Sequence, residues 1–320
     1  MIKYILKRLG TIIIIMIIVS IATYFLMDIV PGDVVFTVAG SDDIPDETYW
    51  RIYYELNLDK STLQRYLIWA GNAIKGDFGL SYAYNTPVWE LIKARIPTTL
   101  YLSITSIVIS VPLGIMFGVI TAVFRKKWPD TVFTMLANLL NCLPEFWVGI
   151  LLMFVFCIKL KLLPSLGFGF LNKVGWTQFI RSSILPITCG SLNAVAAFTR
   201  QTRTSMLEVI HQDYIRTARS KGIAEKKVYL KHMMKNGLIP IITILGARLS
   251  YILGGSMIIE NIFSISGMGV LARSSVQGKD IPTLQGIVLL TTAVSCLAYL
   301  ITDIAYVIVD PRISLSETGD

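Results

Sequence analysis

An all-α integral membrane protein with six transmembrane helices is the fold class this sequence predicts, and three observations predict it. The 320 residues are 54% hydrophobic and only 16% charged, whereas soluble domains carry about 25% charged residues. Six apolar runs approach the ~20 residues a helix needs to cross the hydrocarbon core. Lysine and arginine collect on alternate connecting segments, as the positive-inside rule requires.

The runs cover residues 9–27, 98–124, 131–158, 183–199, 237–258 and 284–309. The first follows Lys3, Lys7 and Arg8 like a signal peptide. Its length and the lack of a small-x-small cleavage site favour a retained anchor. The third is long and contains Pro144, and the fourth is short, so a kink or tilt is expected. With the N-terminus inside, segments 1–8, 125–130, 200–236 and 310–320 hold 16 Lys and Arg over 62 residues. The outside segments 28–97, 159–182 and 259–283 hold 12 over 119, which puts both termini in the cytoplasm. The net charge of +8 lies beside apolar runs rather than in an aromatic-studded patch, so nucleic acid is not the expected partner. Cys142, Cys157, Cys189 and Cys296 sit in apolar runs without CxxC spacing and read as small hydrophobes.

Residues 28–97 are too long for a simple connector. Acidic residues (Asp42, Asp43, Asp46, Glu47) and aromatic ones (Trp50, Tyr53, Tyr54, Tyr66, Trp69, Trp89) punctuate them. Apolar spacing at Tyr54, Leu58, Leu63, Tyr66 and Leu67 suggests short amphipathic helices. This is an extracytoplasmic cap, either simply solvated or a docking surface for an external protein. The domain reading is a helix at 1–27, the cap at 28–97, a core at 98–309 and a cytoplasmic tail at 310–320.

Segment 200–236 holds nine basic residues against Glu208, Asp213 and Glu225. Ser205 and Glu208 fit a capping box opening a helix through Ile210, Tyr214 and Ala218. Gly222 fits the left-handed position after a helix end. A second helix over about 224–234 leads to Asn236 and to Pro240, which a first helical turn tolerates. A basic loop held at anionic headgroups would not need two ordered helices.

Asp213-Tyr-Ile-Arg-Thr-Ala-Arg-Ser-Lys-Gly222, Lys231-His232 and Asn236-Gly-Leu-Ile-Pro240 resemble the EAA loop of ABC importer permease subunits. The dipeptide/oligopeptide/nickel family, and within it the B-type permease, is the most similar branch. Ile5-Leu6-Lys7-Arg8-Leu9, Val30-Pro31-Gly32-Asp33, Gly76-Asp77-Phe78-Gly79-Leu80-Ser81, Arg95-Ile96-Pro97-Thr98-Thr99-Leu100 and the stretch from Glu260 to Gly269 resemble that family in the same order. The eponymous triplet reads Arg216-Thr217-Ala218, so only Ala218 and Gly222 carry over directly. The resemblance implies a type I importer permease fold with a coupling-helix pair at 205–240 that inserts into a cytoplasmic ATPase. Asp213, Arg216, Ala218, Arg219, Gly222, Lys231, His232, Asn236 and Pro240 are the coupling candidates. Ala218 allows close helix approach, and the arginines suit acidic ATPase residues.

The chain has no G-x-x-x-x-G-K-[ST] loop. It is therefore expected to be no enzyme and to bind no cofactor, with ATP and magnesium held by two partner ATPases. A second homologous permease, an extracytoplasmic binding protein and membrane lipid complete the implied partners. Peptide is the implied cargo, with nickel or a metal chelate as the alternative; an ATP-independent secondary carrier is the rival from another class.

Within the six runs only Glu145, Arg248 and Asp303 are charged. Intramembrane charge is costly and marks a pathway by default. Arg248 is not a residue the resemblance leads one to expect there; it pairs with Glu145 or meets a peptide carboxylate. Asp303 stands nearer the cytoplasmic end. Asn138, Asn141 and Asn193 suit interhelical hydrogen bonds. Gly254 and Gly255 suit either a close helix crossing or a gate. His211 and His232 lack a third ligand, so no metal site is expected.

Overall fold

Helix dominates the computed structural model, which describes residues 2–166, 168–169, 171–254 and 257–309. In chain order the α-helices begin with α1 (Ile2–Ile29), α2 (Val34–Ala39), α3 (Asp46–Glu55), α4 (Thr62–Ala73) and α5 (Val88–Val123). They continue with α6 (Trp128–Cys142), α7 (Glu145–Met153), α8 (Leu171–Val209), α9 (Asp213–Ser220) and α10 (Glu225–Lys227). The last are α11 (Met234–Gly237), α12 (Ile239–Ser250), α13 (Met257–Ile262), α14 (Met268–Gln277) and α15 (Ile281–Val309). Wide π-helical turns occupy Phe154–Lys159 and Val228–Met233. Among the described residues β pairing is limited to an isolated bridge, Leu80 to Pro87.

Among the described residues four helices are long and apolar enough to cross a membrane: those of the first, second, fourth and sixth runs. The third run is a bent pair, α6 and α7 with its π turn, broken by 103°. Leu143 is extended (φ −83°, ψ 130°), because the ring of Pro144 clashes with a helical predecessor. The fourth run is not short. Its polar flanks continue the helix, since backbone hydrogen bonding does not depend on hydropathy, and α8 runs on from a kink at Gly175 (φ 76°, ψ 162°) to Val209. The fifth run, expected as one helix over 237–258, is broken: α12 has 12 residues and gives way to turn at residues 251–254. Two adjacent glycines, each costing about 1 kcal/mol in a helix, follow at 254–255. The tail at 310–320 lies outside the described residues.

The chain divides into two compact units, residues 1–99 with 266–296 and residues 100–265 with 297–320. In the first, the cap forms the short helices its spacing predicts. Tyr66 of α4 turns inward against Tyr24, edge to face at 5.5 Å between ring centroids, while Tyr54, Leu63 and Leu67 stay exposed. Ser61 and Gln64 close a capping box on α4. Arg65 donates to Asp28 at 2.7 Å. The buried Asp280, just before α15, accepts from Ser81 Oγ (2.5 Å), the Tyr82 amide (3.1 Å) and Thr283 Oγ1 (2.7 Å). A buried carboxylate needs such donors to offset its lost hydration.

The second unit is organised around α8, on which α6, α7, α11, α12 and α13 pack. Its most apolar window is 67% buried, against 17% for α1. Small residues let helices approach it. A methyl added at Gly118 of α5 would meet the Thr199 carbonyl at 2.8 Å, and one at Gly114 would meet the Val195 carbonyl at 3.1 Å. Near the α6 start, Arg203 of α8 grips Asp130 through two hydrogen bonds, at 2.7 and 3.0 Å.

Candidate functional site

The basic platform begins later than its sequence pattern suggests. Ser205 is buried inside α8, where its hydroxyl accepts from Gln201 Nε2 at 3.3 Å, so the Ser205–Glu208 capping box does not form. A cap requires an extended residue, and the residues around 205 are already wound into helix. The chain leaves α8 after Val209 and restarts at α9 from an extended Gln212 with no side-chain cap.

Helix α9 is strongly two-faced. Ile215 and Ala218 are buried in a cluster with Ala122, Met206, Val228 and Met233. Ala218 therefore allows close approach within this chain, not across an outer surface. On the other face the side chains of Asp213 and Arg216 are 96% and 81% exposed and 3.7 Å apart. Gly222 takes the predicted left-handed conformation (φ 72°). Its amide donates to the Arg219 carbonyl at 2.9 Å and that of Ile223 to the Ala218 carbonyl at 3.3 Å, the double closure of a Schellman motif. Arg219 then reaches across the turn to Glu225, its Nε 2.8 Å from Oε1 and its Nη2 3.3 Å from Oε2. The pair ties α9 to α10.

The second platform helix is present with a difference: α10, a π turn and α11 follow one another over 225–237. Lys231 is exposed and His232 half-buried on the π turn, and π turns recur at functional sites. The Asn236 side chain lies outside the described residues. Pro240 stands in the first turn of α12, as predicted. Among the described residues no three His, Cys, Asp or Glu side chains converge on a metal-sized site.

A cleft of about 80 Å³ forms the second candidate, lined by Ser103, Ser106, Ser110, Glu145, Arg248 and Tyr251 among others. Glu145 opens α7 directly after the bend at Pro144, and Arg248 occupies the last turn of α12. The two charges share the cleft without forming an ion pair. Arg248 Nη2 instead donates to Asn193 Oδ1 at 3.2 Å. Asn141 similarly accepts from Arg200 at 3.4 Å, so two of the three candidate asparagines bond between helices, while Asn138 is exposed. Gly254 makes no close crossing, since a methyl there would meet nothing within 4 Å; Gly255 lies outside the described residues. Asp303, half-buried on α15, is not among the residues lining this cleft. Sequence reasoning missed the Arg219–Glu225, Arg203–Asp130 and Asp280 contacts. Their partners lie 6, 73 and up to 199 residues apart, and of these only the first was near enough to be sought by spacing.

Apolar helices enclosing sparse charge, with an ordered basic platform beside them, define a multi-pass membrane permease subunit. The chain belongs to the family of binding-protein-dependent transport system inner membrane components, which matches residues 114–315, with its N-terminal counterpart matching residues 1–103. It is 39% identical over 311 residues to a putative peptide transport system permease protein of Brucella abortus (strain 2308), covering 97% of this chain and 98% of that one. It is 35% identical over 313 residues to the glutathione transport system permease protein of Escherichia coli (strain K12), covering 98% and 99%. The corresponding glutathione permease of Shigella boydii serotype 4 (strain Sb227) is 36% identical over the same length. The protein is thus a non-catalytic inner-membrane subunit of an ABC importer that works with ATPase and solute-binding partners.

Proposed function

We propose that this chain forms half of a translocation pathway for short peptides, delivered by an extracytoplasmic binding protein and driven by ATP hydrolysis on partner subunits. The observation that carries the reading is α9, whose apolar side is anchored in the chain's own core while Asp213 and Arg216 project from the exposed side. A helix held so firmly on one face and charged on the other suits a groove on an ATPase. Its relatives, a peptide permease and a glutathione permease, favour peptide over nickel or a chelate.

In this reading a second homologous permease and two ATPases complete the complex, with ATP and magnesium bound by the ATPases. Six crossings are reached by taking the bent pair α6–α7 as one and the broken pair α12–α13 as another. Both termini and the 205–240 loop then lie in the cytoplasm, consistent with the lysine and arginine distribution. The cap at 28–97 faces the binding protein. Purification from native membrane should bring down a stoichiometric ATPase. The R216E/R219E double variant should keep ATP turnover but lose most coupled uptake, as expected when charged contacts at an interface are reversed. Wild-type uptake in that variant would remove the coupling role; uptake surviving ATP depletion would establish a secondary carrier instead.

A further inference from the structure

The cleft around Arg248 holds charges that the protein itself leaves underbonded. A guanidinium carries five N–H donors, and Arg248 uses one, toward Asn193. Across the cleft, no described residue donates to the Glu145 carboxylate, although the two charges lie within Coulombic reach of each other. Serine hydroxyls at positions 103, 106 and 110 add further polar groups to the same lining. Two unlike charges in an apolar layer would be most cheaply held as a closed ion pair or replaced by apolar residues. Here they are held apart at one cleft. Arg248 is braced by Asn193 on α8, and Glu145 is set by the Pro144 bend.

Resting on the peptide reading above, we propose that this cleft reads the charged ends of the cargo, Arg248 receiving the peptide carboxylate and Glu145 the ammonium group. The planar fork of an arginine matches a carboxylate through paired hydrogen bonds, and the Asn193 bond fixes its plane. A cleft of about 80 Å³ gives charged end groups room beside both side chains. Cargo chemistry is thereby sampled at its termini, and side chains are left unread.

The test uses the complete importer in proteoliposomes, with its binding protein outside and ATP inside. A dipeptide is offered as the free acid and as the C-terminal amide. Wild type should carry the free acid about tenfold faster than the amide. R248Q should drop free-acid uptake to the level of the amide, leave ATPase stimulation by the binding protein within about twofold, and be largely rescued in R248K. In the same format E145Q should lose its preference for a free over an acetylated amino terminus. The proposal is overturned if R248Q retains the wild-type ratio, since discrimination would then lie in the binding protein. It is also overturned if R248Q and R248K both lose ATPase stimulation, which marks a structural role. Failure of wild type to carry any dipeptide would sink the peptide reading itself, and is visible before any variant is compared.

Discussion

Arg219 and Glu225 show how a contact that joins two short helices doubles as a pH-dependent element. The hydrogen-bonded Arg219 guanidinium holds the Glu225 carboxyl below the usual carboxylate range. A carboxyl depressed in the folded state adds stability above its unfolded pKa, and that contribution is lost as pH falls through the folded value. The platform turn should therefore loosen only in acid. The effect is small, because both side chains are substantially exposed and screened. Carbon-13 titration of Glu225 in the purified protein should show the depressed value, and Arg219→Ala should return it toward normal. An unmoved titration would mean that the ion pair does not persist in solution. Asp280 is the contrasting case. Nothing around it in the sequence marks it as a hub, because its acceptor role depends on Ser81 and Tyr82, some 199 and 198 residues away.

At the level of elements, α8 is decided by packing as much as by composition. Its expected apolar stretch of 183–199 understated a helix that runs from the kink at Gly175 to Val209, because polar turns at both ends continue the same backbone bonds. Gly254, which stood out in the sequence, is also not a glycine that packs helices together. Gly254 has open space around it, whereas Gly114 and Gly118 press α5 onto the α8 backbone. Gly118→Leu should destabilise the protein by about 1–3 kcal/mol through overpacking. Fluorescence-detected melting in detergent would register it as a lowered midpoint, while Gly254→Leu leaves the midpoint in place. Equal melting of the two variants would mean that α5 does not sit against α8 as described.

For the whole molecule, four helices among the described residues qualify as crossings by length and composition and the bent pair α6–α7 makes up to five, while the proposed topology draws a sixth from the shorter α12 with α13. In the proposed topology the breaks at Pro144 and near Gly254 would put non-helical backbone at membrane depth, which lipid does not tolerate unless protein or water covers it. Both breaks border the cleft that holds Glu145 and Arg248. The proposed orientation is checked in a cysteine-free background. Lys60→Cys should react with a membrane-impermeant maleimide from outside, and Lys221→Cys only after the membrane is opened. Labelling of Lys221→Cys in sealed cells would invert the topology.

Composition and charge asymmetry determined from the sequence alone that this is a helical membrane protein. The motif around Asp213 to Gly222 also located its platform, because apolar length, lysine placement and a glycine that must be left-handed are local properties. The bend at Pro144 was likewise expected from the sequence, whereas tertiary structure alone decided what the buried face of α9 packs against and that Arg248 meets Asn193 rather than Glu145. These depend on which helices become neighbours, and each such contact joins residues too far apart for any spacing rule to link them.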